Sequence, residues 1–188
     1  MTQYRSPFLA GSITAILLAT LATVFLFMDS GSPALAQAPV RSTMSDRIYL
    51  HLDGVDGEVT ETDHTGDLAP VSFSWGATAL PQTGFKDLHI VMRADKAFPV
   101  LMRKAAMKDR IANAQLVMRN PLGQDYMKWA LKDLSISAFQ IDATAGQGKP
   151  VVTFDLRIGR IDVEYRSQLY NGGLSPAVKS GWDAKGGG

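Results

Sequence analysis

Two long stretches of alternating apolar and polar residues constrain the fold more than any other feature of this sequence. In residues 126–141 the apolar positions change phase near Lys132 and Asp133, and in residues 151–165 they change phase at Gly159. Because successive side chains of a strand point to opposite faces, each change requires a bulge or bend that returns the apolar residues to one face. Two long strands with such corrections predict a strongly curved sheet or a small barrel.

The rest of the folded region is also predicted to be mainly β. Shorter alternating strands are predicted over residues 48–53, 71–76, 85–93 and 114–119. One helix is predicted over residues 94–106, where Asp95 can cap the first turn and Pro99 is tolerated within it. We therefore expect a mainly β domain, built on a strongly curved sheet or small barrel, with one helix.

A long polar loop separates the first two strands. It follows the turn sequence D-G-V-D-G at residues 53–57 and extends from Glu58 to Pro70. A β-hairpin normally needs only a few connecting residues, and long ordered loops in compact domains are often functional. The sequence therefore predicts a role for this loop in contacts with a partner.

The N-terminal segment resembles a secretory signal. Arg5 precedes a long uncharged stretch, and Ala34 and Ala36 lie at the −3 and −1 positions before Gln37. The apolar stretch is longer than a usual signal core and close to the ~20 residues that span a bilayer. Residues 1–36 are therefore expected to be a cleaved signal peptide or a retained membrane anchor, which would use residues 8–28. Translation from Met44 is a third alternative.

The predicted domain organisation follows from these segments. Residues 37–46 form a linker, residues 47–170 form the β-barrel domain, and residues 171–188 form a flexible, glycine-rich C-terminal tail.

Composition excludes several kinds of function. The formal net charge of +1 argues against a nucleic-acid-binding protein, and the absence of cysteine excludes disulfides, Cys-ligated zinc and thiol catalysis. His51 and His89 lie on polar strand faces, and Asp63, His64 and Asp67 are only a weak metal-binding pattern on one loop. Because no hydrolase, zinc-protease or phosphate-loop motif is present, we expect neither enzymatic activity nor a cofactor. A secreted hydrolase is the weakest alternative.

A series of short motifs resembles the Hcp family, the haemolysin co-regulated tube proteins of bacterial type VI secretion systems. The opening region matches at Asp53, Gly54, Gly57, Glu58, Asp63, His64, Trp75 and Gly76. Further likenesses follow in the same order at residues 95–101, 114–116, 131–137, 151–165 and 180–183. Each motif is weak alone, but their order and spacing make the resemblance strong.

The resemblance implies a compact β-barrel of two curved sheets with one flanking α-helix, and a structural function. Proteins of this family form head-to-tail homohexameric rings that stack into a tube, which a contractile sheath expels with a spike protein at its tip and effector proteins as cargo. It implies that the 58–70 loop and the helix contact neighbouring copies. The candidate interface residues are Glu58, Thr60, Asp63, His64, Thr65, Asp67, Leu68, Arg103 and Lys104. For the helix cations, an ordinary solvent-exposed face is the alternative interpretation.

The N-terminal segment leaves two functions open. A tube protein that assembles in the cytoplasm needs no export signal, and a start at Met44 would place this protein there before secretion. If residues 1–36 direct export, the protein is periplasmic or extracellular. The alternative function is then an exported monomeric β-barrel that serves as a binding or adhesin module.

Overall fold

The computed structural model describes residues 45–78 and 84–183. The single α-helix of these ranges, α1, spans Phe98–Met107, and a 3₁₀ turn spans Thr62–His64. The strands are β1 (Arg47–Leu52), β2 (Pro70–Ser74), β3 (Ala77–Thr78), β4 (Gly84–Phe85), β5 (Leu88–Arg93), β6 (Arg110–Arg119), β7 (Asp125–Asp142), β8 (Val151–Arg157), β9 (Arg160–Tyr165) and β10 (Val178–Asp183).

The strands form an antiparallel barrel with a short side hairpin. The main sheet has the order β1-β6-β7-β8-β5-β2, and β9 pairs with both β7 and β10. Strand β7 joins two curved halves, because Met127–Lys132 pair with β9 whereas Ser135–Asp142 pair with β8. Leu50 and Leu68 exchange backbone hydrogen bonds of 3.0 and 2.9 Å, which brings the β2 side of the barrel against β1. The predicted β-barrel of two curved sheets with one flanking helix is confirmed.

The barrel interior is filled by the apolar face of every long strand and by one helix side chain. Leu101 of α1 is fully buried, and the helix also packs Phe98 against Phe139 of β7. The largest fully buried side chains are Phe154, Leu50, Leu52, Leu68, Leu88, Ile90, Met92, Leu101, Ile111, Leu116, Leu131 and Leu134. Burial of this apolar surface is the main stabilising term of the fold.

Both predicted changes of phase occur where the sequence placed them. Asp133 has a φ of 60°, and this bulge changes the face of the sheet toward which the following side chains of β7 point. Its carbonyl and that of Lys132 both accept from the Gly159 N–H at 3.1 Å. A Cβ on Gly159 would lie 2.8 Å from the Cβ of Asp133, so glycine is required opposite the bulge. A further register shift between Ile136 and Ala138 explains the last phase change of β7.

Two predicted boundaries differ from the structure. The helix begins at Phe98 rather than residue 94, because the Ala97 N–H donates to Asp95 Oδ1 at 2.9 Å in a preceding turn. The predicted flexible tail, 171–188, is wrong for residues 178–183, which form β10 against β9. Gly181 suits this strand, since a Cβ there would lie 2.2 Å from Asp162 Oδ1. Gly181, one of the glycines that suggested a tail, is therefore explained by close packing within the sheet.

The predictions for the N-terminal segment lie outside the described residues. This holds for the signal peptide or anchor of residues 1–36, for the possible span at residues 8–28 and for most of the 37–46 linker. In the described parts of the chain, no helix has the length and apolar character needed to cross a bilayer.

Candidate functional site

The 58–70 loop is a folded substructure on the outside of the barrel. The Gly57 N–H donates to the Gly66 carbonyl at 2.7 Å, and the Gly66 N–H donates to the Val59 carbonyl at 2.9 Å. A Cβ on Gly57 would lie 2.2 Å from the Asp67 carbonyl oxygen, so the two sides of the loop approach each other as closely as glycine allows. The loop therefore has a defined shape.

The loop covers one outward-facing residue of β1. Alternation placed Tyr49 on the polar face of the strand, but only 4% of its surface is exposed. The imidazole of His64 stacks on the Tyr49 ring with a centroid separation of 4.0 Å and an angle of 7°. Both rings gain apolar contact from this arrangement. The loop thus adds a second, smaller buried layer outside the barrel.

Arg119, at the end of β6, connects the loop to the barrel. The exposed fraction of its side chain is 6%. Its Nε donates to Asp125 at 2.6 Å, and its two terminal nitrogens donate to Glu61 at 2.7 Å and to Asp63 at 3.2 Å. A buried guanidinium requires such carboxylate partners to offset its desolvation. Arg119 therefore clamps the loop to β7.

Glu61 extends this clamp to β1. It accepts hydrogen bonds from Arg47 at 3.0 Å and from the Tyr49 hydroxyl. Hydrogen bonds from Tyr49 and Arg119 lower the pKa of Glu61, so this carboxylate stays charged. Burial, followed by the hydrogen bond to Glu61, raises the pKa of Tyr49 to about 12, so the phenol stays protonated and continues to donate.

Asp125 is the most strongly perturbed carboxyl group of the clamp. Burial by itself would raise its pKa, but hydrogen bonds from Arg119 and Lys128 outweigh that effect and hold the pKa at about 2. The hydrogen bond to Asp125 likewise raises the pKa of Arg119. The pair is therefore fully ionised at neutral pH.

Two histidines share the carboxylate of Asp67. His64 Nδ1 lies 3.0 Å from one oxygen, and His51 Nδ1 lies 3.0 Å from the other. Asp63 points instead to Arg119, so the weak metal-binding pattern of Asp63, His64 and Asp67 does not converge on one point. Among residues 45–78 and 84–183, no group of three metal-ligating side chains is placed to hold an ion.

The predicted interface residues fall into two groups. His64, Asp67 and Leu68 are buried within the subunit, where they hold the loop in place, and their role as interface residues stays a prediction. The exposed candidates of the loop are Glu58, Thr60, Asp63 and Thr65. On α1, Arg103 is exposed and Lys104 is partly buried. The interface role of these exposed residues stays a prediction.

Sequence reasoning missed the residues that hold the loop. Tyr49 and Arg119 were interpreted as ordinary strand residues, and Glu61 and Asp125 were not singled out. One signal was present: residues 56–67 contain five carboxylates and no lysine or arginine. Such a loop needs cations beneath it, and Arg47 and Arg119 are paired across β1 and β6. The pairing of β1 with β6 that places these two arginines together is visible only in the folded structure.

Comparison with solved structures identifies the same fold in secretion proteins. A type six secretion system protein has a TM-score of 0.72 and 22% sequence identity, covering 77% of this chain and 99% of its own. Hcp1 from Salmonella typhimurium has a TM-score of 0.68 and 24% identity, covering 76% of this chain and 97% of its own. A type VI secretion system effector from Yersinia pestis has a TM-score of 0.64 and 18% identity, covering 73% and 99%.

Sequence comparison gives the family. No curated protein matches the chain. The family model described as "Type VI secretion system effector, Hcp" matches residues 49–165, which include the clamped loop and all strands from β5 to β9. The predicted resemblance is thereby confirmed, and the chain belongs to the Hcp family of type VI secretion system proteins.

Proposed function

We propose that this chain is a ring-forming subunit of the inner tube of a type VI secretion system. The observation that carries the proposal is the clamped loop. Arg119, Glu61 and His64 fix its backbone, whereas Glu58, Thr60 and Thr65 face solvent. A surface that is rigid before binding loses little conformational entropy on association. The loop is therefore suited to contact another copy.

The proposed assembly is a homohexameric ring closed by head-to-tail contacts. Such heterologous contacts join two different surfaces of the same chain and close when the rotation between copies allows it. The proposed partners are other copies, the spike protein, the sheath and effector proteins carried by the tube. In this proposal the function is assembly, so neither a cofactor nor catalytic residues are required.

Whether residues 1–36 are part of the mature protein can be tested separately. The protein is secreted, and its route depends on whether the chain starts at Met1, Gln37 or Met44. N-terminal sequencing of the protein from its host distinguishes these three starts in one measurement. A start at Gln37 would indicate a cleaved export signal and would favour the exported monomeric module over the tube subunit.

The assembly test uses protein that starts at Met44, measured by native mass spectrometry and electron microscopy. We expect hexameric rings. The substitution Thr60→Arg adds bulk and charge to the exposed loop and should weaken ring formation. Gln147→Arg, in the exposed 143–150 loop, is the matched control and should leave the rings intact. A monodisperse monomer at high protein concentration would contradict the proposal.

A further inference from the structure

Two segments at one end of the barrel contain no charged residue. They are the β6–β7 turn, residues 120–124, and the segment that leads into β10, residues 167–178, and we call this surface the uncharged end. Neither segment has an aspartate, glutamate, lysine or arginine, although 20% of the whole chain is charged. Because charged residues normally concentrate on surfaces that face water, the uncharged end differs from an ordinary solvent-exposed surface.

Large apolar side chains project from the uncharged end. Tyr170 is fully exposed, and the exposed fractions of Val178, Leu122 and Leu169 are 72%, 65% and 42%, respectively. Single exposed apolar residues are ordinary, but several on one surface mark a contact with a protein or a membrane. The same surface therefore lacks charge and exposes apolar groups.

Hydrogen bonds join the two segments into one surface. Asn120 is buried, and its side-chain oxygen accepts from the Leu122 and Gln124 N–H groups at 3.0 Å each. The Gln124 side-chain amide donates to the Gly172 carbonyl at 3.0 Å, which ties the β6–β7 turn to the segment that carries Tyr170. The apolar side chains therefore project from a backbone that is held in place.

The N-terminus of β1 lies beside the uncharged end. The Asp46 carboxylate, just before β1, accepts a hydrogen bond from the Tyr126 hydroxyl at 2.7 Å. The Tyr126 ring contacts the Tyr165 ring edge-on with a centroid separation of 6.4 Å, and Tyr165 pairs with Val178 across β9 and β10. The chain upstream of Asp46 is therefore connected to the barrel at this end.

The upstream sequence favours a lipid bilayer as the partner of this surface. Residues 8–28 form an uncharged, mainly apolar stretch of the length that spans a bilayer. The covalent connection from that stretch to the barrel arrives at Asp46, beside the uncharged end. Tyrosine, as at position 170, suits the boundary between lipid and water, because its ring is apolar and its hydroxyl is polar.

The charged residues that border the uncharged end are paired with one another. Lys128 lies 3.0 Å from Asp125, and Glu164 lies 2.8 Å from Arg166 and 3.0 Å from Lys179. Because both signs of charge are present and matched, anionic lipid is not required to attract this surface. A contact made by the apolar side chains should therefore resist salt, which screens only charge interactions.

We propose that the uncharged end is a lipid-contacting surface, through which Leu122, Leu169, Tyr170 and Val178 enter the interfacial region of a bilayer. The contact goes beyond the proposed function, because it involves a membrane and not another copy of the chain. Strand β7 begins just after the β6–β7 turn and ends just before the 143–150 loop. That loop is therefore directed away from the lipid.

The absence of cysteine allows one reporter at a time to be attached. The full chain is reconstituted in vesicles of phosphatidylethanolamine and phosphatidylcholine, with an environment-sensitive fluorophore on Tyr170→Cys or, separately, on Leu122→Cys. The control is Gln147→Cys, in the exposed 143–150 loop. We expect both reporters at the uncharged end to emit at least about twofold more strongly than the control, and to be quenched by spin-labelled lipid at low and at high NaCl concentration.

Three results would overturn the inference. The first is equal emission from the control and from the reporters at the uncharged end, and the second is a lipid contact that salt abolishes. The third is bright emission that spin-labelled lipid does not quench, which would show that another protein copy covers the surface. Ring formation by protein that starts at Met44 is measured separately, so each of these results leaves the proposed function standing.

Discussion

Two long loops of this protein differ in how they are held. The 58–70 loop has its own hydrogen bonds, a buried leucine and a buried arginine clamp beneath it. The 143–150 loop, between β7 and β8, is exposed from Ala143 to Lys149, and a Cβ on Gly146 or Gly148 would meet nothing within 4 Å. Its last residues are tied to the domain at the surface, where Lys149 Nζ lies 3.0 Å from Glu58 and the Lys149 carbonyl accepts from Arg93 at 3.2 Å. The two loops therefore differ in whether buried side chains hold them.

The largest expected effect comes from removing the cation of the clamp. Arg119→Met removes one hydrogen-bond donor of Glu61 and the buried guanidinium that pairs with Asp125, and breaking a buried ion pair on one side costs about 4 kcal/mol. We expect a loss of that size in the free energy of unfolding, measured with urea at pH 7. Arg110→Met is the control on the same strand, because Arg110 is 70% exposed and its pair with Asp133 is worth about 0.5 kcal/mol. Equal losses in the two variants would show that the ion pairs of Arg119 stabilise the fold no more than an exposed ion pair does.

A smaller effect is expected from the glycine that lets the two sides of the 58–70 loop meet. In Gly57→Ala the new Cβ would overlap the backbone of Asp67, and overpacking against backbone costs about 3 kcal/mol. Gly146→Ala in the open loop places alanine at a φ of 80° without any clash, which costs about 1 kcal/mol. Urea unfolding of both variants measures the difference. A Gly57→Ala protein as stable as Gly146→Ala would contradict the close approach.

Acid should weaken the clamp through Asp125. Its pKa is about 2 in the folded protein and close to 4 in an unfolded chain, so the unfolded state binds a proton first as the pH falls. The free energy of unfolding should therefore be steady above pH ~5 and fall by about 2 kcal/mol between pH ~4 and pH ~2. Urea unfolding across this range tests it.

The matched variant for this experiment is Asp125→Asn. It should be less stable at pH 7 and should show a shallower fall in acid, because the contribution of Asp125 is already absent. Glu61 retains its lowered pKa and continues to contribute in both proteins. Identical pH profiles for the two proteins would place the acid sensitivity elsewhere in the chain.

The smallest effect should come from the open loop. Gln147→Ala removes a side chain that is exposed, and surface substitutions of this kind change the free energy of unfolding by less than about 0.5 kcal/mol. Amide hydrogen exchange sharpens the comparison between the two loops. The N–H groups of Gly57, Gly66 and Leu68 should exchange slowly, whereas those of Ala145, Gly146 and Gly148 should exchange at once. Equal exchange rates would contradict the difference between the 58–70 loop and the 143–150 loop.

The local sequence pattern predicted the barrel well because a half-buried strand shows an alternation of apolar and polar residues. Alternation with a period of two identified the long strands, and the two changes of phase located the bulge at Asp133 and the break at Gly159. The family resemblance could be recognised for the same reason, because its motifs lie in strands and turns whose residues are close in sequence. The clamp could not be predicted from the sequence, because its residues come from β1, the loop, β6 and β7.

The sequence by itself determined the β-rich architecture, the curvature of its sheets and the membership of the Hcp family. Only the tertiary structure decided which loop residues face solvent and which serve as anchors. Asp63 and His64 are neighbours in the chain, yet Asp63 is 72% exposed and His64 is stacked on Tyr49. The physical reason is that burial and charge pairing depend on the strands that the fold brings beneath the loop. Arg119 lies 58 residues from Glu61 in the chain, and only the pairing of β1 with β6 places its guanidinium under that carboxylate.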